Sequence, residues 1–157
     1  MSKVSCSIIT IGDEILFGHI LDTNSKWLSQ ELNKVGVKIL EKKSIGDDYD
    51  QINDSIKSRK NIVAVGTTVL RLLEDCYSKY SRIRYYNEKN ELFIYPGFKF
   101  NVVDKLITNF HLPKSSLLLL VAAFGGKKNI IQYYKNAIKN RMRFYSYGDG
   151  MIINRLK

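Results

Sequence analysis

Apolar positions along the chain fall into short runs and helical repeats, separated by glycines and polar turns. Cys6–Ile11, CSIITI, is a short, largely apolar run that stops at Gly12 and predicts a buried strand. Asp22, Thr23 and Asn24 are N-cap candidates, Leu28, Leu32 and Val35 follow at helical spacing, and Gly36 is a natural stop. Val37–Leu40 reads as a second strand. Tyr49, Ile52 and Ile56 mark a second helix opened by Asp47 and Asp48, whose charges suit the positive end of its dipole. Ile62–Val65 is a third strand. The order β-α-β-α-β predicts an α/β fold with a mainly parallel sheet and helices on its faces.

Beyond Gly66-Thr67-Thr68, the repeat Val69, Leu72, Leu73, Cys76 predicts a helix. Residues Ser78–Asn90 are polar and tyrosine-rich and read as a loop. Leu92–Tyr95 reads as a strand ended by Pro96-Gly97, and Val102–Phe110 as an extended segment. Ser115 or Ser116 caps a helix over Leu117–Phe124 that ends at Gly125-Gly126. From Asn129 to Arg141 the chain is amphipathic: Ile130, Ile131, Tyr134, Ala137 and Ile138 share one face, and Lys128, Gln132, Lys135 and Lys139 the other. Phe144–Ile153 is a last strand, or two short ones, broken at Gly148.

The longest apolar run, Leu117–Phe124, has eight residues, whereas a membrane-spanning helix needs about 20. Met1-Ser2-Lys3 leads straight into a strand with no apolar leader, so a cytoplasmic location is expected. Cys6 and Cys76 lie far apart and outside any metal-binding spacing; both are expected to be buried thiols. Charge changes the picture more. Residues 1–60 carry 9 Lys+Arg and 9 Asp+Glu, while residues 61–157 carry 16 and 6, so the whole net charge of +10 sits in the second part. Nine of the ten tyrosines are there too. A basic, aromatic surface suits a polyanion such as RNA, because Lys and Arg displace counterions and aromatic faces stack on unpaired bases. The plainer reading is a charged, solubilising surface. A step of this kind near residue 60 argues for two segments of different origin.

In residues 8–28, IITIGDEILFGHILDTNSKWL, a strand runs into Gly12-Asp13-Glu14 and a helix opens at Asp22-Thr23-Asn24. With Gly18, Ile20 and the IGDD at 45–48, this resembles the N-terminal domain of the competence/damage-inducible (CinA) family, which shares the molybdopterin-binding fold. The resemblance covers about residues 4–57. It implies a nucleotide- or molybdopterin-type cofactor-binding domain, but that family's Gly-Gly-Leu-Gly-Pro-Thr phosphate loop is absent, and with it the cradle of backbone N–H groups.

VGTT at 65–68, residues 92–126 with TNFHLP.S at their centre, and RFYSYGDGMII at 143–153 together resemble the C-terminal part of the S-adenosylmethionine:tRNA ribosyltransferase-isomerase (QueA) family of queuosine biosynthesis. The resemblance runs from Asn61 to Ile153. It implies transfer of the ribosyl part of S-adenosyl-L-methionine onto a modified deazaguanine in tRNA, with release of adenine and methionine. Transferred residue by residue, it implies catalytic roles for His111 and Asp149. It implies substrate contacts from Gly66, Thr67, Thr68, Arg71, Asn109, Ser115, Tyr147 and Gly148, and RNA contacts from Lys128, Lys135 and Lys139.

The local chemistry leaves alternatives open. Gly66-Thr67-Thr68 suits a carboxylate or phosphate at a helix N-terminus, or is an ordinary helix start. His111 can move a proton near neutral pH or be a hydrogen-bonded structural residue. Asn109 offers amide hydrogen bonds to a base edge. Asp149, between two glycines, can orient a ribose hydroxyl or satisfy its own turn. Arg71 and the lysine stripe can meet phosphates. No residue here matches the family's HxMHxE or NDT…PAR elements, so a truncated fusion, impaired or inactive as an enzyme, is expected. The non-catalytic alternative is a basic RNA-binding remnant. The join is expected around Ser58–Asn61, inside a helix–strand unit common to both patterns, so that the foreign third strand completes one chimeric sheet. Two segments follow: 1–58 and 61–157.

Overall fold

The computed structural model describes residues 4–46, 52, 54–56, 61–83, 91–146 and 148–156. The chain divides into two compact units, Met1–Ser58 and Arg59–Lys157.

In the first unit, β1 (Ser5–Ile11) runs parallel to β2 (Lys38–Ile45). Parallel neighbours require a crossover, here a helical turn α1 (Asp13–Leu16) and helix α2 (Thr23–Lys34). Asp22 caps α2: its carboxylate accepts the Ser25 N–H at 2.9 Å and also the Ser25 hydroxyl. Burial pushes the Asp22 carboxyl up, but these bonds and the Lys42 ammonium 3.9 Å away prevail and hold it below the usual range. At the far end Gly36 takes φ 83°, which returns the Val37 N–H to the Leu32 carbonyl. β2 continues well past Leu40. Residues 52 and 54–56 are helical with Ile52 buried, whereas Asp47, Asp48 and Tyr49 lie outside the described residues. The apolar face expected on α2 is shallow: Leu28 and Leu32 are half-buried and Val35 is exposed.

The second unit holds β3 (Val63–Val65), α3 (Thr67–Tyr80), β4 (Lys105–Asn109), α4 (Ser116–Gly125), α5 (Lys127–Lys139) and β5 (Gly150–Asn154). Its sheet has the order β3-β4-β5, with β3 parallel and β5 antiparallel to β4. Side chains alternate across it: Ala64, Leu106, Met151 and Ile153 are buried, while Val63, Val65 and Ile152 are exposed. The buried set belongs to a core with Leu70 and Leu73 of α3, Leu120, Val121 and Phe124 of α4, and Ile130 of α5. Gly125 permits the close approach of α4 to β5, since a Cβ there would lie 2.5 Å from Ile153 Cγ2. Gly126, at φ 85°, then turns α4 into α5 with a single residue between them.

A buried carboxylate fixes the approach to β4. Glu74 of α3 is wholly inaccessible and accepts the N–H groups of Asn101, Val102 and Val103 at 2.9, 3.0 and 2.9 Å. Beside it Asp104 pairs with Arg155 at 2.9 Å and accepts the Ile62 N–H at 3.0 Å, tying β3, β4 and β5 at one end of the sheet.

Several expectations change. The described strands form two separate sheets rather than one chimeric sheet. The ladder of β3 goes to β4, whose pairing buries Ala64 against Leu106, while β1 pairs with β2. Helix α3 runs on through Ser78 to Tyr80, ending at Ser81 in the left-handed region (φ 54°). Residues 91–95 carry no regular structure. Ile131 and Ile138 of α5 are exposed, which narrows its buried face to Ile130, Ala137 and half-buried Tyr134. Cys76 is buried, but Cys6 is half-buried; neither is in a disulfide among the described residues. No helix among the described residues is long and apolar enough to cross a membrane.

Candidate functional site

The strands of the second unit bring three separate sequence motifs to one edge. β3 ends at Gly66, whose N–H donates to the Ile107 carbonyl at 2.8 Å. β4 ends at Asn109, which stands opposite Gly150 at the start of β5. The carboxyl ends of parallel strands are where open α/β sheets collect ligands. Asn109 Nδ2 donates to the Gly148 carbonyl at 3.3 Å, joining the TNFH and SYGD segments directly.

A cleft of about 290 Å³ lies here, lined by Asn109, Phe110, His111, Ser115, Tyr145 and neighbouring residues. His111 is half-buried on its wall. Its Nε2 lies 3.0 Å from Thr108 Oγ1, and burial holds the imidazole below its ordinary pKa. It is therefore neutral at pH 7 and able to accept a proton. Its backbone is anchored from α5: the His111 N–H donates to the Tyr134 hydroxyl at 2.7 Å, and that hydroxyl donates to the His111 carbonyl at 3.3 Å. Burial raises the Tyr134 phenol, so it stays protonated. Behind the histidine, Phe110, Tyr134 and Phe144 pack with ring centroids 5.0–5.9 Å apart. Ser115 caps α4, accepting the Leu118 N–H at 3.1 Å and donating to the Leu112 carbonyl at 2.7 Å, so its hydroxyl is engaged at the cleft wall.

Asp149 follows Gly148 and is not among the residues that line the cleft. It accepts the Arg143 N–H at 2.7 Å and the Arg143 guanidinium at 3.3 Å, and these bonds hold its carboxyl below the usual range. This is the turn-satisfying arrangement. Gly148 makes the turn possible, since a Cβ there would lie 2.5 Å from the Phe144 carbonyl carbon. Tyr147 lies outside the described residues.

The remaining candidates flank the cleft rather than line it. Gly66 is the N-cap of α3 at φ 96°, and no side chain caps that helix; Thr67 is buried and Thr68 exposed. Arg71, one turn further, lines a separate small cavity with Phe93, Ile94 and Leu117. Lys128, Lys135 and Lys139 are exposed on α5 and form no ion pair among the described residues. Sequence reasoning missed Thr108, Tyr134 and Arg143 as site residues. Thr108 could have been found, being three residues before His111 on the same run. In the sequence Tyr134 shows only as part of an apolar helix face, and Arg143 only as part of a motif.

Comparison with known proteins completes the description. The family described as "Queuosine biosynthesis protein" matches residues 39–153. One described as "Probable molybdopterin binding domain" matches residues 7–70. The two overlap across β2, β3 and the first turn of α3. The S-adenosylmethionine:tRNA ribosyltransferase-isomerase of Psychrobacter sp. (strain PRwf-1) is 50% identical over 110 residues, covering 68% of this chain and 28% of its own length. That of Coxiella burnetii (strain RSA 331 / Henzerling II) is 56% identical over 101 residues, 62% of this chain and 29% of its own. The crystal structure of S-adenosylmethionine tRNA ribosyltransferase from Thermotoga maritima superposes with a TM-score of 0.65 at 41% identity, covering 81% of this chain and 48% of that one. The chain thus spans under a third of the length of these curated relatives. At the end of β1 the Asp13 and Glu14 side chains lie close against Gly46 and Gly12, 2.5 and 2.8 Å from where a Cβ would stand.

Proposed function

The chain belongs to the queuosine biosynthesis protein family, and from that premise we propose that its second unit binds S-adenosylmethionine and tRNA as part of a ribosyl transfer from the one to the other. The observation that carries this reading is the meeting of Asn109 and a neutral His111 on one cleft at the strand ends, with Asn109 bonded to the Gly148 carbonyl behind it. Asn109 presents an amide suited to a base edge. Neutral His111 is placed to take a proton from an attacking amine, with Tyr134 and Thr108 fixing its position. Gly66-Thr67-Thr68 supplies uncapped amides at a helix N-terminus for an anionic group. The lysines of α5 extend a cationic surface outside the cleft for the phosphate backbone.

Binding is the part this chain performs most readily. Asp149 is committed to Arg143, and among the described residues of the cleft the His111 ring is bonded to Thr108 rather than to a carboxylate. Transfer needs reacting groups held together in a near-attack geometry, so turnover by this chain alone is slow or absent.

The test is incubation of the purified chain with S-adenosylmethionine and precursor-bearing tRNA, with adenine release and tRNA retention followed together. Salt-dependent retention with little adenine is expected. Neither retention nor adenine would reject the proposal, and rapid adenine release would reject its binding-dominated form.

A further inference from the structure

We infer that the free edge of β1 pairs antiparallel with β1 of a second copy of the chain, joining two first units in one sheet of order β2-β1-β1-β2. Among the described residues β1 has one neighbour, β2. The Val4 carbonyl accepts the Lys38 N–H at 2.9 Å, and the Gly12 N–H donates to the Ile45 carbonyl at 3.1 Å. Backbone groups alternate sides along a strand, so the even-numbered residues of β1 face β2. The N–H and C=O groups of Ser5, Ser7, Ile9 and Ile11 point to the other edge. β3, the strand that the β-α-β-α-β order would add to this sheet, is paired with β4 instead.

The two strands of the pair are built differently. Natural sheets blunt an exposed edge with charges, bulges or proline. β2 has the first two: Lys38, Glu41, Lys42 and Lys43 lie along it, and Leu40 is skipped between the partners of Cys6 and Ser7, a bulge. β1, SCSIITI, carries no charge and no proline, and its own residues run in unbroken order. Only Ile8 of its seven residues is buried, whereas a parallel strand is ordinarily covered on both faces. A second copy is the occupant that this pattern fits. Antiparallel pairing about Ile8 sets Ser5 opposite Ile11 and Ser7 opposite Ile9, so each free N–H and C=O finds a partner and no like charges meet. The chain carries +10, but residues 1–58 hold 7 Lys+Arg and 9 Asp+Glu, so two copies meet with least repulsion through this unit. The pairing is two-fold and consumes both β1 edges, and the blunted β2 edges end the sheet. The product is a closed dimer rather than a fibre. It is independent of the function proposed for the second unit.

The test uses the full chain after nuclease treatment. Sedimentation velocity over a dilution series should show a dimer of twice the 18.1 kDa chain mass that dissociates on dilution. Ile9→Pro removes an N–H on the free edge and none that faces β2. It should raise the dimer dissociation constant about 10- to 100-fold, because each copy loses a hydrogen bond to the other. Thr10→Cys reads the register. In the pairing about Ile8, position 10 stands opposite the second copy's Cys6 in a non-hydrogen-bonded pair, with about 4.5 Å between Cα atoms, within disulfide reach. Inside one chain the two positions lie about 13 Å apart along the strand, beyond that reach. Oxidised glutathione should therefore convert this variant to a covalent dimer joined between Cys6 and position 10. A chain that stays at 18.1 kDa throughout overturns the inference, and slow exchange of the Ile9 amide in that monomer would put another segment of the same chain on the edge. A dimer that Ile9→Pro leaves unchanged, in a variant with the native circular dichroism spectrum, also overturns it. So do crosslinks at other positions or open-ended assemblies. Should Ile9→Pro fail to fold, the Thr10→Cys crosslink decides.

Discussion

The two units show how differently one apolar pattern can be used. Among the described residues of the first unit, Ile8, Ile45 and Ile52 are the buried apolar side chains, while Phe17, Leu21, Trp27 and Val35 are all more than 60% exposed. The second unit buries Leu70, Leu106, Leu120, Phe124, Ile130 and Ile153 almost completely. Both contain a helix packed on parallel strands. Among its described residues the first, however, has two strands, and a parallel pair is stable mainly when covered on both faces. The second adds an antiparallel third strand and three helices with a shared core. Helical period and capping are local properties, so both units have them; burial needs enough layers to close around the apolar residues, and only the second has enough.

The sharpest way to break this comparison is to cut equal side chains from each unit. Phe124 is fully buried and meets Phe100 edge-on at 4.9 Å. Phe124→Ala should destabilise the second unit by about 3–5 kcal/mol. Trp27→Ala, at a side chain 62% exposed, should change stability by less than about 0.5 kcal/mol. Urea unfolding followed by tyrosine fluorescence, which reports mainly on the second unit, and by backbone circular dichroism checks both. Comparable losses would mean that the first unit buries Trp27 in solution. A smaller loss, about 1–3 kcal/mol, is expected for Glu74→Gln. The amide retains one acceptor but turns an NH₂ group toward the donors at Asn101–Val103. The matching change in the first unit, Glu31→Gln at an exposed pair with Lys34, should be nearly silent.

The third comparison concerns charge. Changing Lys128, Lys135 and Lys139 together to Gln should lower the salt dependence of tRNA binding by up to about three, near one unit of slope per lost phosphate contact. Changing Lys26 and Lys38 of the first unit, which carries 7 Lys+Arg against 9 Asp+Glu, should leave that slope alone. Filter retention of tRNA across a salt series measures it, and equal effects from the two sets would remove the reason for placing RNA on the second unit.

How much of this was legible in the sequence follows the same division between local and distant. The strand Val63–Val65, the caps at Asp22 and Ser115 and the helix around Val121 could be read because each is signalled within a few residues. β2 was read short because Glu41, Lys42 and Lys43 carry no apolar alternation, and the strand exposes most of its side chains. The four-residue turn Asp13–Leu16 is too short to show a period. Nothing local marks Glu74 as a buried acceptor, because its partners lie 27–29 positions away. In the site, Asn109, His111 and Gly148 came from motifs that adjoin the strand ends. The Tyr134 bond to His111 spans 23 residues and depends on how α5 returns to the sheet.

The smallest expected effect tests His111 alone. Its folded pKa lies below the ordinary value because burial disfavours the imidazolium. Between that lowered value and the unfolded value near ~6.5, the unfolded chain binds more protons than the folded one. Stability therefore falls as the pH drops below about 6.5, levels off once the folded histidine is itself protonated, and is fully present above neutrality. Carboxylates titrate over the same range, so the contribution must be taken as a difference between the protein and His111→Gln, which keeps a polar group within reach of Thr108 without the titration. The stability gap between the two should narrow on going from pH 7.5 to pH 5.5, while the His111 ring protons in NMR titrate below the ordinary imidazole range. A gap that widens toward acid would mean that His111 gains an anionic partner on protonation, and its place as the neutral acceptor of the cleft would be lost.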